Sequence, residues 1–289
     1  MADHELDEVV AAVEALLAAH DPTTTDQQSF RGFQYDHGLA WVSFPKGYGG
    51  LGVRPSMQRE VESRLRAAGA APQPGNLFFG YYLAAPTIVT HGSDQAKQRL
   101  LRPLFTGEEI WCQLFSEPEA GSDLAGLRTR ATRVDGGWLV NGQKVWTSYA
   151  QFADWGACLA RTDPDAKPQA GISYLIIDMR SEGVEVRPLR QITDESEFNE
   201  VFFTDVFVPD DRVVGPVNEG WRIANSTLTH ERGVNPRQLV VHSQLVDELW
   251  RFAQEHDAFD DPHLAPRLAQ AWVELRIFQL HNWRSISRT

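Results

Sequence analysis

The order of hydrophobic patterns along the 289 residues predicts an α+β fold with three consecutive parts. Apolar side chains recur at helical spacing in residues 1–109, alternate with a period of two in residues 110–215, and return to helical spacing in residues 216–289. The middle strands are separated by short polar turns that leave no room for crossover helices. We therefore expect an N-terminal helical domain, a mostly antiparallel β-domain and a partial C-terminal helical domain.

The N-terminal helices are predicted from apolar stripes and from residues that begin and end helices. Apolar residues between positions 6 and 17 follow the i, i+3, i+4, i+7 pattern of an amphipathic helix. Ser56 is placed to cap a second helix, which Gly69 would end. Ser93 and Gly107 bracket a third helix in the same way.

The β-domain is predicted from the accumulation of β-branched and aromatic residues after Ile110. Asp135-Gly136-Gly137 is typical of a turn. Asn141-Gly142 lies between two apolar stretches, and this pair tolerates the positive φ of a type I′ turn. We therefore expect a β-hairpin centred on Asn141-Gly142, and Pro209 to end the last long strand.

The C-terminal part is predicted to be helical from Gly220 onward, with an interruption at Asp261-Pro262. The last helical pattern runs to the end of the sequence without a closing glycine, proline or polar tail. We therefore expect the C-terminal helical layer to be incomplete.

Charge and composition exclude several classes of protein. The net charge is −12, from 27 Lys and Arg against 39 Asp and Glu, which is unfavourable for binding nucleic acid or anionic membranes. The two cysteines, Cys112 and Cys158, have neither disulfide-framework nor metal-ligand spacing, and the nine histidines are scattered, so we expect no metal site. The acidic N-terminus differs from a signal peptide, and no stretch is apolar enough for a membrane span, so we expect a cytoplasmic protein.

A glycine-rich segment at residues 47–52 matches the dinucleotide-binding pattern G-x-G-x-x-G. That pattern requires a strand before it, a helix directly after it and an acidic residue about twenty positions later. Pro45 precedes the segment, Arg54-Pro55 follows it, and residues 69–76 contain no acid. The segment is therefore interpreted as a turn that joins helices.

Two polar segments of the β-domain are more informative. Residues 116–123 read S-E-P-E-A-G-S-D directly after the first strand, and residues 141–148 read N-G-Q-K-V-W-T-S. Taken alone, the first is compatible with an ordinary polar loop and the second with an ordinary hairpin that carries a core tryptophan. Their order, followed by F-N-E-V-F-F-T-D-V-F-V-P at residues 198–209, resembles the acyl-CoA dehydrogenase family.

The resemblance implies the helix–sheet–helix fold of that family, FAD as cofactor and an acyl-CoA thioester as substrate. Family members remove the α-hydrogen of the thioester as a proton and transfer the β-hydrogen as hydride to the flavin. The flavin supplies the redox chemistry, and the protein supplies position and electrostatics.

The family motifs assign candidate roles to residues of this sequence. Trp146 is expected to pack on the flavin ring, and the hydroxyls of Ser116 and Ser148 to lie near its polar edge. The complete set of expected cofactor-binding residues is Gln113, Phe115, Ser116, Trp146, Thr147 and Ser148. The expected substrate-binding residues are Ser122, Thr229 and Arg232.

Glu231 is the candidate catalytic base. A weakly acidic α-proton requires a carboxylate in a dry site, with donors that stabilise the enolate oxygen. A minority of family members place this glutamate on the helix that carries Glu231, whereas most place it later in the C-terminal domain. The alternative interpretation is that Glu231 only pairs with an arginine.

This sequence also departs from the family pattern. Family members continue with further C-terminal helices, and their R-x-x-F-G stretch has no clear match near residues 254–260. We therefore expect a truncated form, or one subunit of a homo- or hetero-oligomer, with electron-transfer flavoprotein or a similar electron acceptor. Two alternatives remain: an acyl-CoA oxidase or flavin oxygenase of the same fold, and a non-catalytic acyl-CoA-binding subunit.

Overall fold

The computed structural model describes residues 2–232 and 236–286, and it describes the side chains of residues 4–229 and 242–284. The chain divides into two compact units, Met1–His230 and Glu231–Thr289. The domain boundaries after residues 109 and 215 stay a prediction.

The N-terminal part of the first unit is helical, as predicted. Its core includes Val9, Leu16 and Val61, which lie on the apolar faces of the first and third helices. The α-helices are α1 (Ala2–Ala19), α2 (Gln27–Asp36), α3 (Gln58–Ala67), α4 (Ala85–His91) and α5 (Asp94–Thr106).

The ends of α5 confirm the predicted capping residues. The Ser93 side chain accepts a hydrogen bond from the Ala96 amide at 3.1 Å, and Gly107 has the left-handed φ of 80° that ends a helix. The Ser56 cap is wrong, because Ser56 lies inside a short 3₁₀ turn, Pro55–Met57, that precedes α3 and makes no capping hydrogen bond. Pro55 begins that turn because its fixed φ suits the first helical position.

The glycine-rich segment at residues 47–52 forms part of the loop between α2 and α3, as predicted. Gly50 is required there because a Cβ atom at this position would lie 2.0 Å from the Phe44 carbonyl oxygen. The glycines therefore allow a close approach of two backbone segments, and no strand–turn–helix unit surrounds them.

The middle of the first unit is an eight-stranded sheet. Its strands are β1 (Trp111–Leu114), β2 (Arg130–Val134), β3 (Gly137–Ser148), β4 (Trp155–Arg161), β5 (Ile172–Asp178), β6 (Val184–Pro188), β7 (Phe198–Pro209) and β8 (Val213–Val214). The order is β6-β7-β3-β2-β4-β5-β8, and β1 pairs with β4. The β1–β4 and β2–β4 pairings are parallel and the others antiparallel, which confirms the expected mostly antiparallel sheet.

The predicted hairpin at Asn141-Gly142 is wrong, because both residues lie within the continuous strand β3. The hairpin turn lies earlier, at Asp135-Gly136, between β2 and β3. At Asn141 the pairing of β3 with β7 shifts register. The Asn141 amide group donates to Asp205 Oδ1 at 2.9 Å and accepts from the Asp205 amide at 2.9 Å, which stabilises a β-bulge in place of a turn.

The two faces of the sheet are buried in different cores. Trp111, Phe115 and Tyr174 belong to the core that also contains residues of the N-terminal helices. Cys112 and Cys158 lie in the core on the opposite face. The alternation of β1 therefore directs the side chain of Gln113, half-buried, to the same face as Trp111 and Phe115.

Helical structure returns after the sheet, as predicted. It consists of α6 (Gly220–Arg232), α7 (Pro236–Glu255) and α8 (Ala265–Ile286). Ile223 and Ala224 of α6 are buried in the core shared by the sheet and the N-terminal helices. Asp261 accepts hydrogen bonds from the amides of His263 and Leu264, at 2.7 and 3.1 Å, in the predicted interruption before α8. Among the described residues, no helix has the length and apolar character needed to span a membrane.

Candidate active site

The loop after β1 and the end of β3 lie directly against each other. The Val145 amide donates to the Ser116 carbonyl at 3.0 Å. The loop turns back on itself through the Glu117 amide, which donates to the Ala120 carbonyl at 3.0 Å, and the Ala120 amide, which donates to the Glu117 carbonyl at 3.1 Å. The two segments that resemble family motifs therefore form one surface.

A buried ion pair lies beneath this surface. Lys144 Nζ donates to Glu117 Oε1 at 2.7 Å, and the two side chains are 0% and 6% exposed. Lys144 Nζ also donates to the Phe115 carbonyl at 3.1 Å. The Glu117 carboxylate accepts from the backbone amides of Arg128 and Thr129, at 2.6 and 3.0 Å. Every charge of the pair is therefore matched by a partner.

The ion pair determines the ionisation of Glu117. Burial by itself raises the pKa of this carboxyl group, because the charged form loses its hydration. The Lys144 ammonium and the hydrogen bonds to Lys144, Arg128 and Thr129 lower the pKa by more. The net result is a pKa below the ordinary value of 4.5, so Glu117 is ionised at neutral pH.

Trp146 projects from the surface in an unusual backbone conformation. Its φ is 60°, and 63% of the residue is exposed. The pairing of β3 with β7 shifts register between Lys144 and Thr147, which turns the indole outward. The only ring contact of the indole among the described residues is edge-to-face with Phe198, at 6.0 Å between centroids. A bulky residue at positive φ is costly, and such strain clusters at functional sites.

Hydroxyl groups with unused hydrogen-bonding capacity flank Trp146. Thr147 Oγ1 is buried and has no hydrogen-bond partner among the described residues. Ser148 is buried and Ser116 half-buried, and within the described part of the chain neither side-chain hydroxyl forms a hydrogen bond. The exposed indole thus adjoins serine hydroxyls, while the unpartnered Thr147 hydroxyl is enclosed by the protein.

The other expected cofactor-binding residues lie on β1 and just after it. Gln113 is half-buried, and the Phe115 ring is buried edge-on to Tyr174, with 5.9 Å between centroids. The Phe115 ring therefore serves the core, while the Phe115 carbonyl binds Lys144. Their roles toward a cofactor stay predictions.

The expected substrate-binding residues are placed in part. Ser122 is exposed in the loop after β1, and Thr229 is exposed on α6, where its hydroxyl donates to the Asn225 carbonyl at 2.8 Å. Glu231 and Arg232 belong to the last turn of α6, but their side chains lie outside the described residues. The assignments of these four residues stay predictions.

A second buried polar cluster, the hydroxyl cluster, consists of Thr87, Tyr174 and Thr227. The Thr87 and Thr227 hydroxyl oxygens lie 2.7 Å apart. Burial raises the pKa of Tyr174, and the two neighbouring threonine hydroxyls lower it by less. These residues belong to α4, β5 and α6, so the cluster attaches α6 to the sheet and to the N-terminal helices.

Sequence reasoning missed the roles of Lys144 and Glu117, and it missed the hydroxyl cluster. A signal was available for one partner, because Lys144 directly precedes the apolar pair Val145-Trp146, whereas Glu117 lies in a polar segment and gave none. The hydroxyl cluster left no such signal, since its members are far apart in the sequence and threonine and tyrosine are common on surfaces.

Comparison with known proteins identifies the family. Models of the acyl-CoA dehydrogenase N-terminal, middle and C-terminal domains match residues 2–108, 112–206 and 218–289. This chain belongs to the acyl-CoA dehydrogenase family. The match confirms the resemblance and the predicted fold class.

Similar proteins come from Mycobacterium tuberculosis. Acyl-CoA dehydrogenase FadE34 is 54% identical over 197 residues, which are 68% of this chain and 27% of FadE34. Acyl-CoA dehydrogenase IpdE1 is 41% identical over 240 residues, which are 83% of this chain and 62% of IpdE1. The chain therefore spans less than two thirds of the length of these relatives.

Solved structures share the fold over nearly the whole chain. A structure described as the Tcur3481-Tcur3483 steroid ACAD G363A variant has a TM-score of 0.76 and 26% identity, covering 97% of this chain and 76% of its own. The ChsE4-ChsE5 complex from Mycobacterium tuberculosis has a TM-score of 0.72 and 29% identity, covering 99% of this chain and 76% of its own.

FAD is the cofactor of this family. The residues around Trp146 fit such a group, because the exposed indole offers a flat apolar face. The hydroxyls of Ser116 and Ser148 add polar groups at the same surface. The ring system of a flavin needs both kinds of contact.

Proposed function

We propose that this chain is an FAD-dependent acyl-CoA dehydrogenase that converts an acyl-CoA thioester to the 2-enoyl-CoA. The observation that supports this function best is the surface formed by the Ser116 loop and residues 146–148. It combines a strained, exposed indole with hydroxyls that have no partner among the described residues. Family membership supports the reaction class.

Some of the proposed residues would bind the cofactor, and one would transfer a proton. FAD, when bound, would supply the hydride acceptor for the β-hydrogen of the substrate. Trp146 would provide the stacking face for the cofactor, and the hydroxyls of Ser116 and Ser148 would orient its polar edge. Glu231 would remove the α-proton, which requires a dry site that raises the proton affinity of its carboxylate.

The substrate would lie along the Ser122 loop and α6. Ser122, Thr229 and Arg232 are the proposed contacts to the acyl-CoA. The likeness to a protein described as a steroid ACAD supports a bulky, ring-bearing acyl group as the substrate class. A panel of straight-chain, branched and steroid-side-chain CoA esters tests this class by the rate at which each bleaches the flavin absorbance.

The proposed assembly is an oligomer. The likeness to the ChsE4-ChsE5 complex supports a hetero-oligomer. Electron-transfer flavoprotein, or a similar acceptor, is proposed on the family resemblance. Oxygen uptake during turnover without an added acceptor would instead indicate an acyl-CoA oxidase.

The base is tested by Glu231→Gln, which keeps the shape of the side chain and removes its proton affinity. We expect FAD and acyl-CoA binding to persist, and substrate-dependent bleaching to slow by about 10²–10⁴-fold or more. Rapid anaerobic mixing followed at the flavin absorbance measures both steps. The protein used must be loaded with FAD. Any partner subunit in the sample must lack a catalytic base, since that base would mask the effect.

A matched control for this test is Glu219→Gln. Glu219 precedes α6 and pairs on the surface with Arg222, at 2.6 Å. The rate of flavin bleaching in Glu219→Gln should stay within a few-fold of the wild-type rate, since exposed ion pairs contribute little to stability. An unchanged rate in Glu231→Gln would exclude Glu231 as the base, and wild-type protein that binds FAD but is bleached by no ester would contradict the dehydrogenase function.

A further inference from the structure

We propose that the buried ion pair of Lys144 and Glu117 is a positioning pair for the flavin. It holds the Ser116 loop and the Trp146–Ser148 segment in the one relative geometry that binds the cofactor. The inference rests on the proposed function and deepens it, because it names the residues that shape the cofactor surface without touching the cofactor.

Lys144 holds Ser116 from both sides. Its ammonium group binds the Phe115 carbonyl at 3.1 Å and the Glu117 carboxylate at 2.7 Å, so the residues before and after Ser116 are both attached to it. The next residue along β3, Val145, donates its amide to the Ser116 carbonyl at 3.0 Å. The backbone of Ser116 is therefore fixed to β3 immediately before Trp146.

Glu117 extends the same network to the base of the Ser122 loop. Its two carboxylate oxygens accept from the amides of Arg128 and Thr129, which lie where the chain re-enters the sheet. One carboxylate thus attaches the start of this loop to its end. The ion pair therefore links the proposed cofactor segments to the loop that carries the proposed substrate residue Ser122.

The strained backbone at Trp146 needs such support. A non-glycine residue at a φ of 60° persists only when its surroundings determine its conformation. Lys144 lies at the start of the register shift that produces this conformation, and it is 0% exposed. A buried pair adds little stability over well-packed apolar side chains, so a positional role accounts for the charges better than a purely stabilising one.

The ionisation state agrees with this role. Burial raises the pKa of Glu117, but the Lys144 charge and the amide hydrogen bonds lower it below 4.5. The carboxylate is therefore charged over the whole range in which the protein would work, and the network does not depend on pH near neutrality.

The test compares the double variant Glu117→Gln/Lys144→Met with the wild-type chain, using FAD itself as the probe. Removing both charges together avoids an uncompensated buried charge, so the double variant should fold with a melting temperature above that of Lys144→Met alone. It stays below that of the wild type, because the Gln side chain can accept from only one of the Arg128 and Thr129 amides. We expect FAD to bind about 10-fold or more weakly in a fluorescence-quenching titration, because small displacements of positioned groups have large effects. The visible circular dichroism of the bound flavin should change as well.

The matched control is Arg133→Gln/Asp210→Asn. It removes an ion pair that joins β2 to the residue after β7, with an Nη2–Oδ2 distance of 2.9 Å, in the same sheet but half-exposed. FAD affinity and flavin circular dichroism should match those of the wild type. A dichroism change is the decisive readout, since a loss of stability alone leaves the spectrum of the bound flavin unchanged.

A second measurement uses the wild-type chain alone. Hydrogen exchange with and without FAD should show added protection at the Val145, Arg128 and Thr129 amides together, since one network holds all three. Protection of Val145 without Arg128 and Thr129, or a double variant with wild-type affinity and dichroism, would overturn the inference and leave the proposed function standing. A wild-type chain that binds no FAD would instead overturn the proposed function, and the inference with it.

Discussion

The ion pair and the hydroxyl cluster are both buried, and both attach a segment with proposed site residues to the sheet, but they differ in charge. Lys144 and Glu117 satisfy formal charges with each other and with backbone groups. Thr87 and Thr227 share a neutral hydroxyl hydrogen bond beside the buried Tyr174 hydroxyl. Two equally buried polar contacts can therefore differ in their contribution to stability. Losing a partner costs more free energy for a buried charge than for a buried hydroxyl.

The segments that the two clusters attach also differ. The ion pair supports a strained stretch of β3, in which Trp146 has a positive φ. The hydroxyl cluster supports α6, a regular helix, and the Thr87 and Thr227 hydroxyl oxygens also lie 2.7 and 3.0 Å from the carbonyl oxygens four residues earlier, Leu83 and Ile223. A helix needs only an attachment point, whereas a strained strand needs several constraints at once.

The largest effect on stability is expected for Lys144→Met. This change leaves the Glu117 carboxylate buried without its counter-charge, so the free energy of unfolding should fall by about 3–5 kcal/mol. Urea unfolding measures the loss. Adding Glu117→Gln to the same chain should restore most of it, and a single variant as stable as the wild type would show that water reaches the carboxylate.

A smaller effect is expected for Thr227→Val, which removes one hydroxyl from the neutral cluster with little change in shape. The buried Thr87 hydroxyl loses its partner at 2.7 Å, so the free energy of unfolding should fall by about 1–3 kcal/mol. Thermal unfolding is the measurement. Thr229→Val is the control on the same helix, because its hydroxyl is exposed and water can bind the group that it leaves. Equal losses of stability in both variants would contradict a special role for the buried cluster.

The smallest expected effect is the dependence of the melting temperature on pH. Because the pKa of Glu117 is lower in the folded protein than its ordinary value of 4.5, its contribution is fully present above 4.5 and is lost as the pH falls through the folded pKa. The melting temperature of the wild type should therefore fall in acid more steeply than that of Glu117→Gln/Lys144→Met. The hydroxyl cluster contributes no such slope, and parallel pH profiles of the two proteins would mean that Glu117 does not keep a lowered pKa.

Local signals along the chain predicted most elements of the fold. Ser93 and Gly107 mark the ends of α5 because capping depends on hydrogen bonds and φ values within a single turn. The motif residues of the proposed cofactor surface were also accessible from the sequence, since the family pattern preserves their order. The helices α2 and α4 were missed, because their apolar residues do not form a long periodic stripe.

Tertiary structure decided the features that depend on a distant partner. Asn141-Gly142 has the composition of a turn, yet pairing with β7 and the hydrogen bonds to Asp205 make it a bulge in a continuous strand. The sequence by itself determined the succession of helices and strands and the residue types of the candidate site, because these follow from local periodicity and motif order. Only the folded chain decided that Lys144 meets Glu117 and that Trp146 turns outward, because ion pairing, burial and backbone strain depend on segments brought together from different parts of the sequence.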